Sequence, residues 1–301
     1  MDTKFDVIII GGSSAGLSAG LALGRAIRNV LIIDSGKPCN RQTPHSHNFL
    51  THDGETPSQI MEAAWRDVAA YPTVQFINGT VTDVSGNDKN FAVTINEDNK
   101  GFRASKIIFA TGVKDIMPGI EGFAECWGIS VIHCPYCHGY EYRGKRTGIL
   151  ANGDVGFELA KMISNWTKHL TLFTNGDADF TTEQHEDLKR NNIQIIEKEI
   201  ARLVHQNGYI TQIAFKDGGS NDIDALYARP PFVQHTDAPE KLNCEFTEQG
   251  YIKIDMINKT TVPGVFACGD NTTPMRTLSA AIASGTLAGV AVSKELTQEQ
   301  F

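Results

Sequence analysis

Runs of apolar residues punctuated by glycine and polar turns set the frame of this chain. Lys4–Ile10 is β-branched and apolar without alternation, as expected of a parallel strand buried on both faces. Gly11-Gly12-Ser13-Ser14-Ala15-Gly16 follows. Leu17–Ala26 then carries apolar residues at helical spacing, and Val30–Asp34 reads as a second buried strand. Together these predict a βαβ unit. Ser58–Ala70 predicts a helix with Ser58 as its N-cap. From Phe76 to Arg103, short runs broken by Asn-Gly, Ser-Gly and Asp98-Asn99 predict small antiparallel strands, and Lys106–Ala110 predicts another buried strand, closed by Thr111-Gly112.

The pattern then restarts. Arg146–Leu150 predicts a strand, Ala151-Asn152-Gly153-Asp154-Val155-Gly156 a turn, Phe157 to about Trp166 a helix, and Leu170–Phe173 the next strand. Val265–Asp270 is a late strand and turn without a sheet of its own, and Leu278–Val292 a helix rich in small residues. The expected fold class is therefore α/β, with two Rossmann-like, three-layer ββα dinucleotide-binding domains, the second inserted into the first. The expected bounds are 1–114 with 244–301 for the first domain and 115–243 for the second. Stretches around Lys114–Gly119 and Gln234–Leu242 have the prolines and polar residues of linkers.

A length of 301 residues suits two domains, and 41% hydrophobic with 21% charged residues suits globular cores. A net charge of -8 argues against a nucleic-acid partner, which calls for a basic face. The start lacks the basic and long apolar stretches of a signal peptide, and no segment has the length of a membrane span, so a soluble cytoplasmic protein is expected.

Gly11-x-Ser13-x-x-Gly16 lies between strand and helix, with Asp34 ending the next strand. The helix N-terminus offers free N–H groups to a pyrophosphate, Gly11 permits the turn, and Asp34 can accept hydrogen bonds from an adenosine ribose. Ser13 stands where this fingerprint has a glycine. The second turn departs further. Ala151 replaces its first glycine, Asp154 adds a negative charge, and Thr174-Asn175-Gly176-Asp177 offers no cation to a 2′-phosphate. Use of NAD(P)H is left open, and NADPH by an arginine cluster is not expected.

Cys134-Pro135-Tyr136-Cys137-His138-Gly139-Tyr140-Glu141 carries the chemistry. A C-x-x-C loop can close a disulfide, its thiolate form is a nucleophile, and an adjacent imidazole can move protons. Glu141 can orient the imidazole or supply charge. Zinc ligation with Cys126, His133 or His45/His47, c-type haem attachment through C-x-x-C-H, and two structural thiols are the competing readings. No metal is expected. Cys39, Cys126, Cys244 and Cys268 lack partners at motif spacing; packing is their default reading, with Cys39 in a polar loop. His45, His47 and His52 lie in the polar stretch 40–56, where a solvated loop competes with a metal site.

The Gly-rich turn, Ala110-Thr111-Gly112, the C-x-x-C and Gly269-Asp270, in that order and spacing, resemble the low-molecular-weight thioredoxin reductase family. Cys-Pro-Tyr-Cys-His-Gly-Tyr-Glu and His47–Gly54 look closer to its branch of gliotoxin- and holomycin-type dithiol oxidases. The resemblance implies a flavoprotein disulfide oxidoreductase binding FAD through Gly11, Ser13, Ser14, Ala15, Gly16 and Asp34. It extends that site to Ser35, Asn40, Arg41 and His47, to Thr111 and Gly112, and to Gly269, Asp270, Thr277 and Leu278. It implies that Cys137 reaches the flavin, that Cys134 forms the mixed disulfide with the substrate disulfide or dithiol (a thioredoxin-like protein or a small molecule), and that a domain swing alternates the two. A homodimer is implied as well. His138 replaces the family's aspartate and is the expected proton carrier. The expected reaction passes electrons between flavin, Cys134–Cys137 and an external disulfide or dithiol. A dithiol oxidase using oxygen and a redox sensor without turnover are the alternatives.

Overall fold

The computed structural model describes residues 4–96 and 100–301. The expected Asp98-Asn99 break lies outside the described residues.

The first stretch of chain runs β1 (Lys4–Ile10), α1 (Ser14–Arg25), β2 (Val30–Asp34), α2 (Pro57–Ala69), β3 (Val74–Asn78), β4 (Val81–Asn87), β5 (Asn90–Ile95), β6 (Gly101–Phe109) and β7 (Val113–Asp115). The middle stretch runs α3 (Phe123–Cys126), β8 (Val131–Ile132), α4 (Pro135–His138), β9 (Thr147–Leu150), α5 (Gly153–Ile163), β10 (Leu170–Phe173), α6 (Thr182–Arg190) and β11 (Gln194–Ile196). It continues through β12 (Ile200–Gln206), β13 (Tyr209–Phe215), β14 (Ser220–Asp222) and β15 (Ala225–Ala228). The chain ends with β16 (Phe232–Gln234), α7 (Ala238–Lys241), β17 (Val265–Ala267) and α8 (Leu278–Gln300).

Two compact units result. One comprises Met1–Arg41, Pro57–Lys114 and Phe232–Phe301; the other comprises Gln42–Thr56 and Asp115–Pro231. Relative to the bounds read from sequence, 232–243 falls with the first unit and 42–56 with the second.

In the first unit the sheet order is β3-β2-β1-β6-β5-β4, with β17 also on β6. β3, β2, β1, β6 and β17 pair in parallel, while β4, β5 and β6 pair antiparallel. Alternate residues of each central strand feed different cores. Val7, Ile9, Val30, Ile32, Ile108 and Phe266 pack towards α1 and α8, whereas Ile8, Ile10, Leu31, Ile33, Ile107 and Phe109 pack with Val84, Phe91 and Val93 of the antiparallel layer. Burial on both faces accounts for the unbroken apolar runs. The small residues of α8 let it approach α1 closely: a side chain at Gly289 would meet Ala19 O at 2.7 Å, and Ser18 Oγ donates to Ile282 O at 2.7 Å.

The second unit has a parallel sheet, β11-β10-β9-β15-β8, and an antiparallel sheet, β12-β13-β14. Leu159, Ala160 and Ile163 of α5 cover one face of the parallel sheet, with Ile149 and Leu172. Leu203, Ile213 and Phe215 of the antiparallel sheet share a core with Val131, Phe173 and Leu226. The two Rossmann-like layers match the expected fold class.

Several local expectations change. Phe76 belongs to β3, parallel to β2, because its run pairs with Val30–Asp34. Helix α2 begins at Pro57, so Ser58 lies in its first turn instead of capping it; proline at a first position loses no intrahelical bond. Helix α5 begins at Gly153, and α8 continues to Gln300. The expected linkers are flanked by two strands paired with each other: β7 runs into the first at Lys114–Asp115, and β16 ends at Gln234, the start of the second, which then contains α7.

Candidate active site

The first Gly-rich turn has the geometry of a phosphate cradle. Gly11 has φ 105°, and a side chain on it would collide with Ala110 O. A side chain on Gly16 would collide with Gly11 O, so the strand, turn and helix close up only with glycine at both. Ser13 is extended (φ -86°, ψ -164°), a conformation open to any residue, so a serine is accommodated there. Its side chain makes no cap bond to α1, which leaves first-turn N–H groups available to an anion. Its hydroxyl and that of Ser14 approach Met61 Sδ at 3.9 Å. Asp34 receives Gly12 N–H at 2.8 Å on one oxygen and Gly36 N–H at 2.9 Å on the other. Each oxygen keeps a lone pair for a ribose hydroxyl.

Gly269 and Asp270 come to the same turn. A side chain on Gly269 (φ 84°) would meet Ala15 Cβ at 2.9 Å, and Gly269 N–H is held by Ser284 Oγ at 3.0 Å. Asp270 Oδ2 lies 3.7 Å from Arg276 Nε. Thr277 caps α8 through its hydroxyl, which accepts Ala280 N–H at 3.2 Å, and Leu278 opens that helix. Thr111 Oγ1 lies 3.3 Å from Asn271 Nδ2, and Gly112 has φ 63°. Ser35, Asn40 and Arg41 follow β2, with Arg41 Nη1 donating to Pro38 O at 3.2 Å.

Sequence reasoning missed Asn271 and Gln234. Asn271 is fully buried; its Nδ2 donates to Phe109 O at 2.9 Å, while its Oδ1 has no partner. Gln234 Nε2 donates to Gly250 O and Asn271 O, and its Oε1 is likewise buried without a partner. Two unmet acceptors beside a Gly-built cradle fit a polar cofactor. The only sequence signal for Asn271 was its place directly after Gly269-Asp270.

The second turn is closed. Asn152 Oδ1 accepts both Gly153 N–H and Asp179 N–H at 2.9 Å, and its Nδ2 donates to Asp177 O at 2.8 Å. Asp154, in the first turn of α5, is bound by Gln184 Nε2 at 2.7 Å, and Glu197 holds Ala178 N–H at 2.7 Å. Asp179 Oδ2 sits 3.8 Å from the point a Gly153 side chain would occupy. The helix end is therefore capped from within, with the carboxylates of Asp154 and Asp179 beside it. A pyrophosphate there would have to displace the cap and face those charges. Asn152 supplies the cap.

In the same unit, Cys134 and Cys137 are joined by a disulfide, with Cα atoms 5.3 Å apart. Cys134 is the N-cap of α4, Pro135 fixes the first helical position, and Cys137 N–H donates to Cys134 Sγ at 3.2 Å. That bond favours the thiolate of Cys134 once the pair is reduced. Pro135 O accepts Gly139 N–H at 2.7 Å, and Tyr136, exposed, stands edge-on to Trp166 at 5.4 Å. Phe123, Trp127 and His133 stack in succession at 5.8 Å.

His138 is pushed down to about 4, first by burial and then by the nearby charge of His47, so its ring is neutral at pH 7 and available as a proton acceptor. Glu141 pairs not with His138 but with His47, Oε1 to Nε2 at 3.5 Å. His47, expected at the flavin, thus lies in the unit that carries the dithiol. His45 Nδ1 instead meets Gly54 O at 2.9 Å. Burial pushes Cys268 up to about 12 and Cys126 up to about 11, the latter opposed by Ser130, and raises Cys244. These three are inert thiols, while Cys39 is exposed. Among the described residues no helix is long and apolar enough to cross a membrane.

Comparison with known proteins agrees with this architecture. Thioredoxin reductase sirT of Leptosphaeria maculans is 31% identical over 96% of this chain and 93% of its own. Thioredoxin reductase aclD of Aspergillus oryzae is 30% identical over 98% of both. The crystal structure of an oxidoreductase from Agrobacterium tumefaciens superposes with a TM-score of 0.91 at 38% identity, covering 98% of this chain and 99% of that one. The pattern of the family described as pyridine nucleotide-disulphide oxidoreductase matches residues 5–285, which takes in both Gly-rich turns and the dithiol between them. The chain therefore belongs to the pyridine nucleotide-disulphide oxidoreductases, a family of FAD-binding enzymes, and within it is a thioredoxin reductase-like flavoprotein disulfide oxidoreductase.

Proposed function

We propose that this enzyme takes electrons from an external dithiol through Cys134–Cys137 and delivers them to oxygen, closing a disulfide in its substrate. The observation that carries this reading is the end of α5. In a reductase that helix receives a pyridine dinucleotide; here Asn152 caps it, with Asp154 in its first turn, Asp179 beside Gly153 and Glu197 on the adjoining Ala178 N–H.

Bound FAD supplies the two-electron relay between dithiol and oxygen. Gly11 to Gly16, Asp34 and Ser35 are its proposed holders, with Asn40, Arg41, Thr111, Gly112, Gly269, Asp270, Thr277 and Leu278. The substrate is a small molecule or a thioredoxin-like protein bearing two thiols. One substrate thiolate attacks Cys134 Sγ, and the S–S bond breaks with its electron pair passing to Cys137. The second substrate thiolate then attacks the substrate sulfur of the mixed disulfide and releases Cys134. His138, neutral beside the pair, accepts a thiol proton. The net change is dithiol plus oxygen to disulfide plus hydrogen peroxide. The working form is proposed to be a cytoplasmic homodimer.

The test is anaerobic stopped flow with NADH, NADPH and dithiothreitol added separately to the holoprotein, followed by an oxygen electrode. The expected result is fast flavin bleaching by dithiothreitol, none by either nucleotide, and oxygen uptake with the dithiol. Rapid bleaching by NADH or NADPH would overturn the direction and make the enzyme a reductase.

A further inference from the structure

The loop 42–56 folds on itself. Ser46 N–H donates to Glu55 O and Gly54 N–H to Ser46 O, both at 2.8 Å, and Asn48 N–H reaches Asp53 Oδ1 at 2.7 Å. Gln42 Nε2 ties it to Ala124 O at 3.2 Å and Trp127 O at 3.4 Å, within the unit that carries the dithiol. The loop holds His47 between two carboxylates: Nδ1 lies 3.6 Å from Asp53 Oδ2, and Nε2 lies 3.5 Å from Glu141 Oε1. Both separations exceed a direct hydrogen bond and admit a small closure or a bridging water. Asp53 is 65% exposed and the His47 side chain 23%, so the pair leads from Glu141 of the dithiol segment to solvent.

The proton balance of the dithiol step calls for such a route. A substrate dithiol and the enzyme disulfide give a substrate disulfide, one enzyme thiol, one enzyme thiolate and one released proton. The two electrons that leave the substrate sulfurs are those that break the Cys134–Cys137 bond. His138 is the adjacent acceptor, yet burial makes it too weak a base to keep a proton at neutral pH. The proton has to move on, and Glu141, three residues after His138, lies 3.5 Å from His47.

We propose that His47, gripped between Asp53 and Glu141 of the dithiol segment, is a positioning residue that passes the proton of the dithiol reaction to solvent. This rests on the reading that Cys134–Cys137 cycles between disulfide and dithiol. The charged and titratable groups around the relay are His45 and the His52–Glu55 pair of the same loop, and Glu141 and His138 of the dithiol segment. Tyr142 and Tyr227, both sensitive to the charge of Glu141, complete the set.

The experiment reduces the disulfide of the holoprotein with dithiothreitol, anaerobically, over a range of about pH 5 to 9 where imidazoles titrate. The reaction is quenched with an alkylating reagent and labelled thiols are counted by mass spectrometry, a readout that needs no flavin turnover. Wild type is compared with His47→Gln, His47→Ala and Asp53→Asn, matched for flavin content. The expected result is a loss of about tenfold or more near neutrality for His47→Gln. A changed pH profile, a smaller loss for Asp53→Asn, and partial rescue of His47→Ala by added imidazole are expected with it. A rate lowered equally at every pH, or no rescue by imidazole, would overturn the relay and leave the functional reading intact. A wild-type disulfide that dithiothreitol does not reduce would overturn both.

Discussion

Lys106 lies in the centre of the first unit's sheet, opposite Val7 in parallel register, and its side chain is fully buried. Its ammonium donates to Asp88 at 2.7 Å, Glu295 at 2.7 Å and Glu299 at 2.6 Å. The three carboxylates bring oxygens within 4.8 Å of one another, a spacing that could hold a cation, and Lys106 is that cation. Replacing it with methionine leaves the carboxylates facing each other. At an effective dielectric near 20, each pair at that distance repels by about 3 kcal/mol. Lys259, 2.6 Å from Glu295, offsets part of this. The expected loss for Lys106→Met is therefore that of a broken buried ion pair, about 3–5 kcal/mol, or a fall of about 10 °C in Tm. Burial disfavours the charge on Lys106, but its three hydrogen bonds outweigh this and raise its pKa above the usual lysine value. Its stabilisation is thus complete below about pH 10.4 and is lost only at higher pH. For Glu295, burial raises the pKa, and the bonds to Lys106 and Lys259 lower it on balance. That contribution holds above about pH 4.3 and is lost as pH falls. The deficit of Lys106→Met should be level through neutral pH and narrow below about pH 5, as the carboxylates protonate. Thermal melts followed by flavin fluorescence across pH measure it. An unchanged Tm at pH 7, or a deficit that does not shrink on acidification, would refute the electrostatic account.

Other substitutions test the two helix ends and the dithiol unit. An alanine at Gly285 would collide with Ala15 O and displace the first turn of α1, at a cost of about 1–3 kcal/mol; titration of apoprotein with FAD should show affinity weakened about tenfold. Asn152→Ala removes the cap of α5 and should cost the second unit about 1 kcal/mol in a denaturant melt. Tyr227 buries a hydroxyl without a partner, so Tyr227→Phe should leave stability unchanged or raise it by about 1 kcal/mol; a clear loss would reveal a bond made in solution.

The strands and the first Gly-rich turn were legible because their requirements are local. A doubly buried parallel strand must be apolar throughout, and a turn packed against backbone must be glycine. Cys134 and Cys137 were legible for the same reason, since four residues suffice to close their ring. Even the second turn announced its departure, through Ala151 and the missing cation after β10. Other features needed the chain to be folded, because they join residues far apart in sequence. Asn152 accepts the N–H of Asp179, Lys106 meets Glu299, and Asn271 meets Phe109. A lysine inside an apolar strand, or an asparagine after a Gly-Asp turn, has no periodicity that names its partner. The Glu141 neighbour was read as His138 because it was near in sequence, whereas loop 42–56 delivers His47 to it across ninety-odd residues. Sequence determined which segments could form sheets and which residues could carry redox chemistry. Tertiary structure decided how the end of α5 is capped and which histidine stood beside the dithiol segment's Glu141, since hydrogen bonds and charge depend on distance in space and not along the chain.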